Sequence, residues 1–368
     1  MQKHYNDGDG PVKIGLVLDK IRHRDEADRI YSMIMDDYIE SGRLERNIEF
    51  IKVYPYGPPA GSIQTVINAY HDLCDQGCLA VLGFNHADSS IAIGTVADER
   101  KVPVVALGAT VDGMAEWAFS ICWSSIPHDA YTVASWLRRN KYKRVVVTYD
   151  RAAHAEEYLI HFRLACARAG IRILADERFP QIQLPELEDI FASAVEDLKS
   201  LRPDALAHVG TGPVAGRWAG HVTRSGWGIP RVMNDAFFGA SDPALAPSYE
   251  GWVGTTMWDP DNEVTNDLMK RYCERYPEIK LTSGERVSLF RDGIAALLEG
   301  IILAPTLTPE GVRQGLEMVQ LLPAASGGPR TCISFGPYAH RGTQGADVMV
   351  LRRVKNGELI MEGHIELF

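Results

Sequence analysis

Short apolar runs alternate with longer amphipathic stretches from almost the first residue of the chain. Val12–Leu18, Leu79–Gly83, Val102–Gly108, Arg144–Asp150 and Ala205–Gly210 are β-branched or aliphatic runs that end on polar or glycine-bearing segments. Between the first of them and the next, Ala27, Ile30, Tyr31, Ile34 and Tyr38 recur at helical spacing and stop at Ser41-Gly42, which predicts a helix with one buried face. Ser62 stands where its hydroxyl can cap the helix carrying Ile63, Val66, Ile67, Tyr70 and Leu73. Strands alternating with helices predict an α/β fold with parallel sheets covered on both faces. Such sheets collect ligands at the carboxyl ends of their strands, so the chemistry is expected just after the apolar runs.

The plan runs twice. A first cycle adds a strand at Glu49–Val53, a helix over Ser89–Glu99 and an apolar run at Ala118–Trp123, then turns through Ser124-Ser125-Ile126-Pro127. A second cycle follows, with helices over Asp129–Arg139, Glu156–Ala169, Glu186–Leu201 and Val214–Ser225. Its further strands are Ile171–Ala175 and Arg231–Asn234. An apolar run at Gly251–Thr256 and helices over Glu263–Tyr276 and Arg286–Leu303 come next. The end reads as strands Cys332–Phe335, Asp347–Arg353 and Glu358–Glu366, with Lys355-Asn356-Gly357 a tight hairpin turn. This order predicts two lobes, residues 11–124 with 256–332 and residues 125–255 with 333–368. The chain would cross between them near Trp123–Pro127, Gly251–Thr256 and Gly328–Phe335, forming a hinge beside a cleft suited to a ligand.

Composition narrows the function. At 368 residues the chain exceeds the length at which one core stops growing. Its formal charge of −10 opposes nucleic acid or anionic lipid as a partner. The basic cluster Arg138-Arg139-Asn140-Lys141 reads as a solvated helix end. No apolar stretch reaches the roughly 20 residues that cross a bilayer, so no direct membrane insertion is expected. The first ten residues, MQKHYNDGDG, lack the apolar core of a secretory signal. The expectation is a periplasmic or extracellular protein if a signal has been removed, and a cytoplasmic one if Met1 is the native start. Six scattered cysteines, Cys74, Cys78, Cys122, Cys166, Cys273 and Cys332, show no zinc spacing and read as buried free thiols. No metal is expected.

Four segments together resemble the type I periplasmic binding proteins, specifically the leucine/isoleucine/valine-binding branch. They are VKIGLVLD; CLAVLGFNHADSS with its helix and KVPVVALGAT; YKRVVVTYD; and LRPDALAHVGTGPVAG with its helix and the following IPRVMNDAFF. They occur in the family's order over about Val12 to Met361. The resemblance implies a two-lobed fold, each lobe a mostly parallel sheet flanked by helices, joined by a three-crossing hinge. It implies a non-catalytic protein that binds a small organic ligand in the interlobe cleft and hands it to an ABC permease.

Catalytic motifs are missing: there is no GxSxG elbow, HExxH or Walker A loop. The stretch Gly210-Thr211-Gly212-Pro213-Val214-Ala215-Gly216 approximates a dinucleotide fingerprint, with Asp235 where a ribose-binding acid could stand. Its last glycine comes one residue late, and Pro213 lacks the amide that phosphate binding uses. No cofactor is expected.

In the resembled family a hydroxyl and backbone N–H groups of the first lobe receive a ligand α-carboxylate. The matching positions are Asn85, His86, Asp88, Ala109 and Thr110, with Thr110 equally readable as a helix cap. In the second lobe the matches are His154, Thr211 and Asp235, of which Asp235 would hold a ligand ammonium. His154 replaces the usual aromatic and reads as a surface or cap histidine before a ligand group. Phe84, Phe237, Phe238 and Trp258 lie just beyond strand ends and are expected to line the cleft rather than the core. Phe290, at helical spacing with Ile294, is expected in the core. An amino acid or a related, even aromatic, ligand is implied. Two rival functions remain open: a cytosolic ligand sensor of the amide-responsive type with a regulatory protein partner, and a dinucleotide-dependent enzyme. A homodimer is compatible with each.

Overall fold

The computed structural model of the chain describes residues 10–19, 24–108, 110, 114–121, 125–182, 184–210, 213–279, 281, 284–343 and 346–368. In chain order the first cycle comprises β1 (Val12–Val17), α1 (Arg24–Glu40), β2 (Ile48–Val53), α2 (Ile63–Asp75) and β3 (Ala80–Gly83). It closes with α3 (Ala87–Arg100), β4 (Val104–Ala106) and β5 (Ala118–Ser120). The second comprises α4 (Ile126–Arg139), β6 (Arg144–Asp150), α5 (Ala153–Ala169), β7 (Arg172–Phe179), α6 (Leu187–Ser200), β8 (Ala205–Val209), α7 (Pro213–Arg224), β9 (Arg231–Met233) and β10 (Trp252–Thr256). Then follow α8 (Glu263–Arg275), α9 (Gly284–Leu303), α10 (Pro309–Glu317), β11 (Leu322–Pro323), β12 (Cys332–Ile333), β13 (Val350–Lys355) and β14 (Glu358–Gly363).

One sheet has the order β2-β1-β3-β4-β5 and is parallel throughout. The other runs β14-β13-β10-β9-β8-β6-β7. Its five strands from β10 to β7 are parallel, while β13 and β14 are antiparallel. The predicted hairpin joins those two. Asn356 and Gly357 both take positive φ, 55° and 75°, which matches the strand twist.

The chain divides into two compact units, Met1–Trp123 with Pro260–Lys280 and Arg286–Gln344, and Ser124–Asp259 with Leu281–Glu285 and Gly345–Phe368. The segment 333–343, expected in the second lobe, packs in the first unit. The Ser120 N–H donates to the His340 carbonyl and the Gly342 N–H to the Ser120 carbonyl, each at 2.8 Å. Conversely, 256–259 stays in the second unit, as the continuation of β10.

In the first unit Val66, Tyr70 and Leu73 of α2 pack with Val81, Ile93 and Val104. The Ser62 hydroxyl caps α2 by accepting from the Gln64 N–H. Phe290 is buried and meets Tyr31 edge to face at 5.9 Å. In the second unit Phe179, Phe191 and Trp218 share one cluster with ring centroids 4.8–5.2 Å apart. That packing extends β7 to Phe179, beyond the expected end at Ala175. The helix expected from Asp129 starts at Ile126, because Pro127 suits a first turn.

Two aromatics expected near the ligand are core instead. Phe84 is fully buried, with its ring edge-on to Tyr70 at 6.2 Å. Phe237 is fully buried against Gly254, where a Cβ would fall 2.0 Å from the Phe237 Cγ. The missing side chain of Gly254 is what admits that ring to the core. Phe238 is half-buried.

Candidate functional site

In the first unit the chain leaves β1 at Asp19 and β3 at Gly83. Phe84 then takes a left-handed φ of 60°, unusual for a residue with a side chain, and turns Asn85 beside Asp19. The Asn85 N–H donates to Asp19 Oδ2 at 3.1 Å and its Nδ2 donates to Asp19 Oδ1 at 2.9 Å. A carboxylate only accepts, so this fork fixes the amide orientation and leaves Asn85 Oδ1 facing elsewhere. That oxygen is buried and has no donor; Asn85 as a whole is 7% exposed. His86 occupies the N-cap position of α3 without capping it, and its Nδ1 lies 3.3 Å from Asp88 Oδ2. The Ser90 hydroxyl steadies the loop by donating to the Phe84 carbonyl at 2.9 Å. Ser89, one residue earlier, is fully buried and its hydroxyl has no partner. Thr110 is buried; Ala109 lies outside the described residues.

The second unit builds a denser polar cluster at the carboxyl ends of β6, β8 and β9. Asn234 ties two strand ends together, its Oδ1 accepting from the Gly210 N–H at 3.0 Å and the Ala236 N–H at 3.3 Å. Its Nδ2 donates to the Gly210 carbonyl at 3.1 Å and to Asp235 Oδ1 at 2.6 Å. His154 Nε2 lies 3.2 Å from Asp235 Oδ1 and 3.1 Å from Asn234 Nδ2, which brings its ring into the same cluster. His154 is buried, which corrects the expectation of a surface or cap histidine. The Asp235 side chain is 13% exposed, so part of the carboxylate still reaches solvent.

Behind Asp235 sits Asp129, from the first turn of α4, with no exposure. It accepts from the Tyr158 hydroxyl at 3.2 Å and the Asp235 N–H at 3.1 Å. Burial, and next the charge of Asp235, push its pKa up to about 8. A second buried pair lies alongside. His208 Nδ1 is 2.9 Å from the Thr148 hydroxyl, and its Nε2 is 3.9 Å from Asp150 Oδ1. Burial pulls His208 down to about 3, so it is neutral. Thr211 lies outside the described residues. Trp258 is half-buried and one ring face is already covered, by the Arg352 guanidinium at 4.5 Å.

The structure thus brings Asn85 to Asp19, His86 to Asp88, and His154 to Asp235. It removes Phe237 from the candidates. Sequence reasoning missed Asp19, Asp129, Asn234 and Arg352. The first and third follow strand ends directly, where the topology already pointed; nothing in the sequence pairs the others with the site. Among the described residues no group of three His, Cys, Asp or Glu side chains could hold a metal ion. A cavity of about 310 Å³, bounded by Lys13, Arg46, Gln76 and Leu307, opens at the amino ends of β1 and β3, the opposite ends of those strands from Asp19 and Asn85.

A family model described as a periplasmic binding protein matches residues 41–358. No curated protein matches the sequence. The fold is similar to that of a leucine-binding protein from Thermotoga maritima, 20% identical, with a TM-score of 0.78 over 96% of this chain and 99% of that one. A solute-binding protein of an ABC transporter from R. palustris, solved with benzoate, is 18% identical, with a TM-score of 0.77 over 96% of each chain. A branched-chain amino acid transporter substrate-binding protein from Streptococcus pneumoniae, solved with isoleucine, is 16% identical, with a TM-score of 0.77 over 95% of this chain and 98% of that one. With most of its length matched by the family model, the chain belongs to the periplasmic binding protein family, and its fold is the two-lobed type I fold of these structures.

Proposed function

We propose that this protein is the non-catalytic substrate-binding component of an ABC-type importer for an amino acid or a related small organic ligand. Family membership supports the class. The observation that carries the reading is Asp235, held rigidly by Asn234 and His154 at a strand end with part of its carboxylate open to solvent. A fixed, partly desolvated carboxylate is what a ligand ammonium needs. Asn85, His86, Ala109 and Thr110 of one unit, and His154, Thr211 and Trp258 of the other, are the remaining proposed contacts.

A thermal-shift screen of amino acids, amines, amides and small acids tests this. A ligand at 100 times its Kd stabilises a fold by about 2.7 kcal/mol, which is readily detected. No shift across the whole panel would remove the support for a small-ligand receptor. We further propose that the lobes close on the ligand about the hinge. Small-angle scattering should then show a smaller radius of gyration at saturation, and an unchanged radius speaks against closure.

A further inference from the structure

Two carboxyl groups adjoin at the strand ends of the second unit, and only one of them reaches solvent. Asp235 Oδ1 accepts from Asn234 and lies beside His154, with part of the side chain open. Asp129 stands behind it without any exposure, and its Oδ2 accepts from the N–H of Asp235 itself at 3.1 Å. From the elements packed on α4, Asp129 is faced by the Tyr158 hydroxyl and the His154 ring of α5, by Thr255 of β10 and by Asp235. On α4 itself His128 bonds the Ser125 hydroxyl, while Asp150 and His208 make their own pair on β6 and β8. Among the described residues no lysine or arginine pairs with Asp129 or Asp235. A second negative charge in such an interior is costly unless a cation stands near it. Burial, and next the charge of Asp235, therefore push the Asp129 pKa up to about 8. A ligand ammonium on Asp235 would supply the cation that this pair lacks.

We propose that Asp129 is a proton-linked positioning residue for the ligand: a cation captured by Asp235 expels the proton of Asp129, and the site then holds that cation with two carboxylates instead of one. This rests on the reading of Asp235 as the ammonium receptor and deepens it. The Asp129 O–H bond breaks, its proton passes to the buffer, and no other covalent bond changes. By linkage the effect is reciprocal: the bound cation weakens the hold of Asp129 on its proton, and removing that proton strengthens the hold on the cation. A neutral ligand gains nothing from an ionised Asp129, and an anionic one is repelled by it. The pair therefore selects for cations, more strongly as pH rises. A coupling of about tenfold is modest for charges on adjoining carboxyls. It corresponds to an affinity gain of about sevenfold from pH 6 to pH 8.5, with about half a proton released near pH 7.5.

The probes are leucine, phenylalanine, lysine, 3-methylbutylamine and agmatine, with benzoate as the anionic control. Each is titrated by calorimetry into the full chain and into its Asp129→Asn variant at pH 6, 7.5 and 8.5. At pH 7.5 the titration is repeated in phosphate and in Tris, whose different heats of ionisation count the protons exchanged. In the parent, a cationic probe that binds should tighten about sevenfold from pH 6 to pH 8.5 and release about half a proton at pH 7.5. Asp129→Asn should match the parent at pH 6, show no tightening with pH and release no proton. A merely structural Asp129 would leave the same pH profile in both proteins. Affinity that is flat with pH in the parent overturns the inference. So does tightening that persists in Asp129→Asn, which would assign the proton to His154. Both results leave Asp235 as the ammonium receptor. If none of the cationic probes binds at millimolar concentration, or benzoate alone binds, the reading of Asp235 falls and the inference falls with it.

Discussion

Replacing Asp129 by asparagine should stabilise the protein above neutral pH and leave it nearly unchanged in mild acid. The Asp129 carboxyl is fully buried beside Asp235, and its pKa rises from 3.8 to about 8, first through desolvation and then through that neighbouring charge. The folded state therefore keeps a proton that the unfolded chain releases. Between those two values the unfolded state binds fewer protons, so stability falls as pH rises, by about 1.4 kcal/mol per pH unit for one group. The contribution is fully present below 3.8 and is lost as pH approaches 8. Asparagine resembles the protonated acid. Its oxygen can accept the Asp235 N–H, and its amide can donate to the Tyr158 hydroxyl, which accepts as well as donates. Imperfect geometry there costs about 1 kcal/mol. Against that, removing the proton linkage gains about 4 kcal/mol at pH 7 and about 5 kcal/mol at pH 8. A net gain of about 4 kcal/mol at pH 8 is expected, shrinking to less than about 1 kcal/mol near pH 5. Urea unfolding from pH 5 to 9 measures it. Parallel stability curves for parent and variant would refute the argument, since they would place an ordinary, solvated carboxyl at position 129.

Other consequences are as direct. His208 is held neutral, with its pKa pulled from 6.5 to about 3 by burial, so its unfolded form binds the extra proton. Its contribution is complete above 6.5 and disappears as pH falls toward 3; His208→Gln should flatten that acid limb by about one proton, seen as a smaller slope of unfolding free energy against pH. Asp235→Ala should weaken an amine-bearing ligand by about 2–5 kcal/mol in a calorimetric titration while the far-ultraviolet spectrum stays the same. A variant that binds like the parent would show that Asp235 only braces His154 and Asn234.

The alternation of apolar runs with helical patterns was legible because parallel strands are buried on both faces and their boundaries are set by polar loops. Departures came from tertiary packing. PEGVRQGLE, which forms α10 and was not assigned to any element from the sequence, carries two glycines, and a Cβ at Gly315 would fall 2.0 Å from the Gly300 carbonyl oxygen. Gly315 allows close contact with α9, and Gly311 lets the first turn of α10 close on Thr306. The Phe84 and Phe237 rings stand beyond strand ends, and only a left-handed turn at one and the bare Gly254 beneath the other send them into the core. At the site, Asp235 and Asn85 were visible from the topology, since strand ends in such sheets face ligands. Their partners were not. Asp19 and Asn85 are 66 residues apart, and Asp129 and Asp235 are 106 apart. Local pattern holds no information on pairings of that range.

The central claim, that a small ligand is received at the carboxyl ends of the strands, is tested most directly by amide hydrogen exchange with and without a saturating ligand from the screen. The account predicts slowed exchange concentrated at 84–90 and 108–110 in one unit and at 150–155 and 234–237 in the other. Protection confined instead to the amino ends of β1 and β3, around Lys13, Gln76 and Leu307, would contradict it.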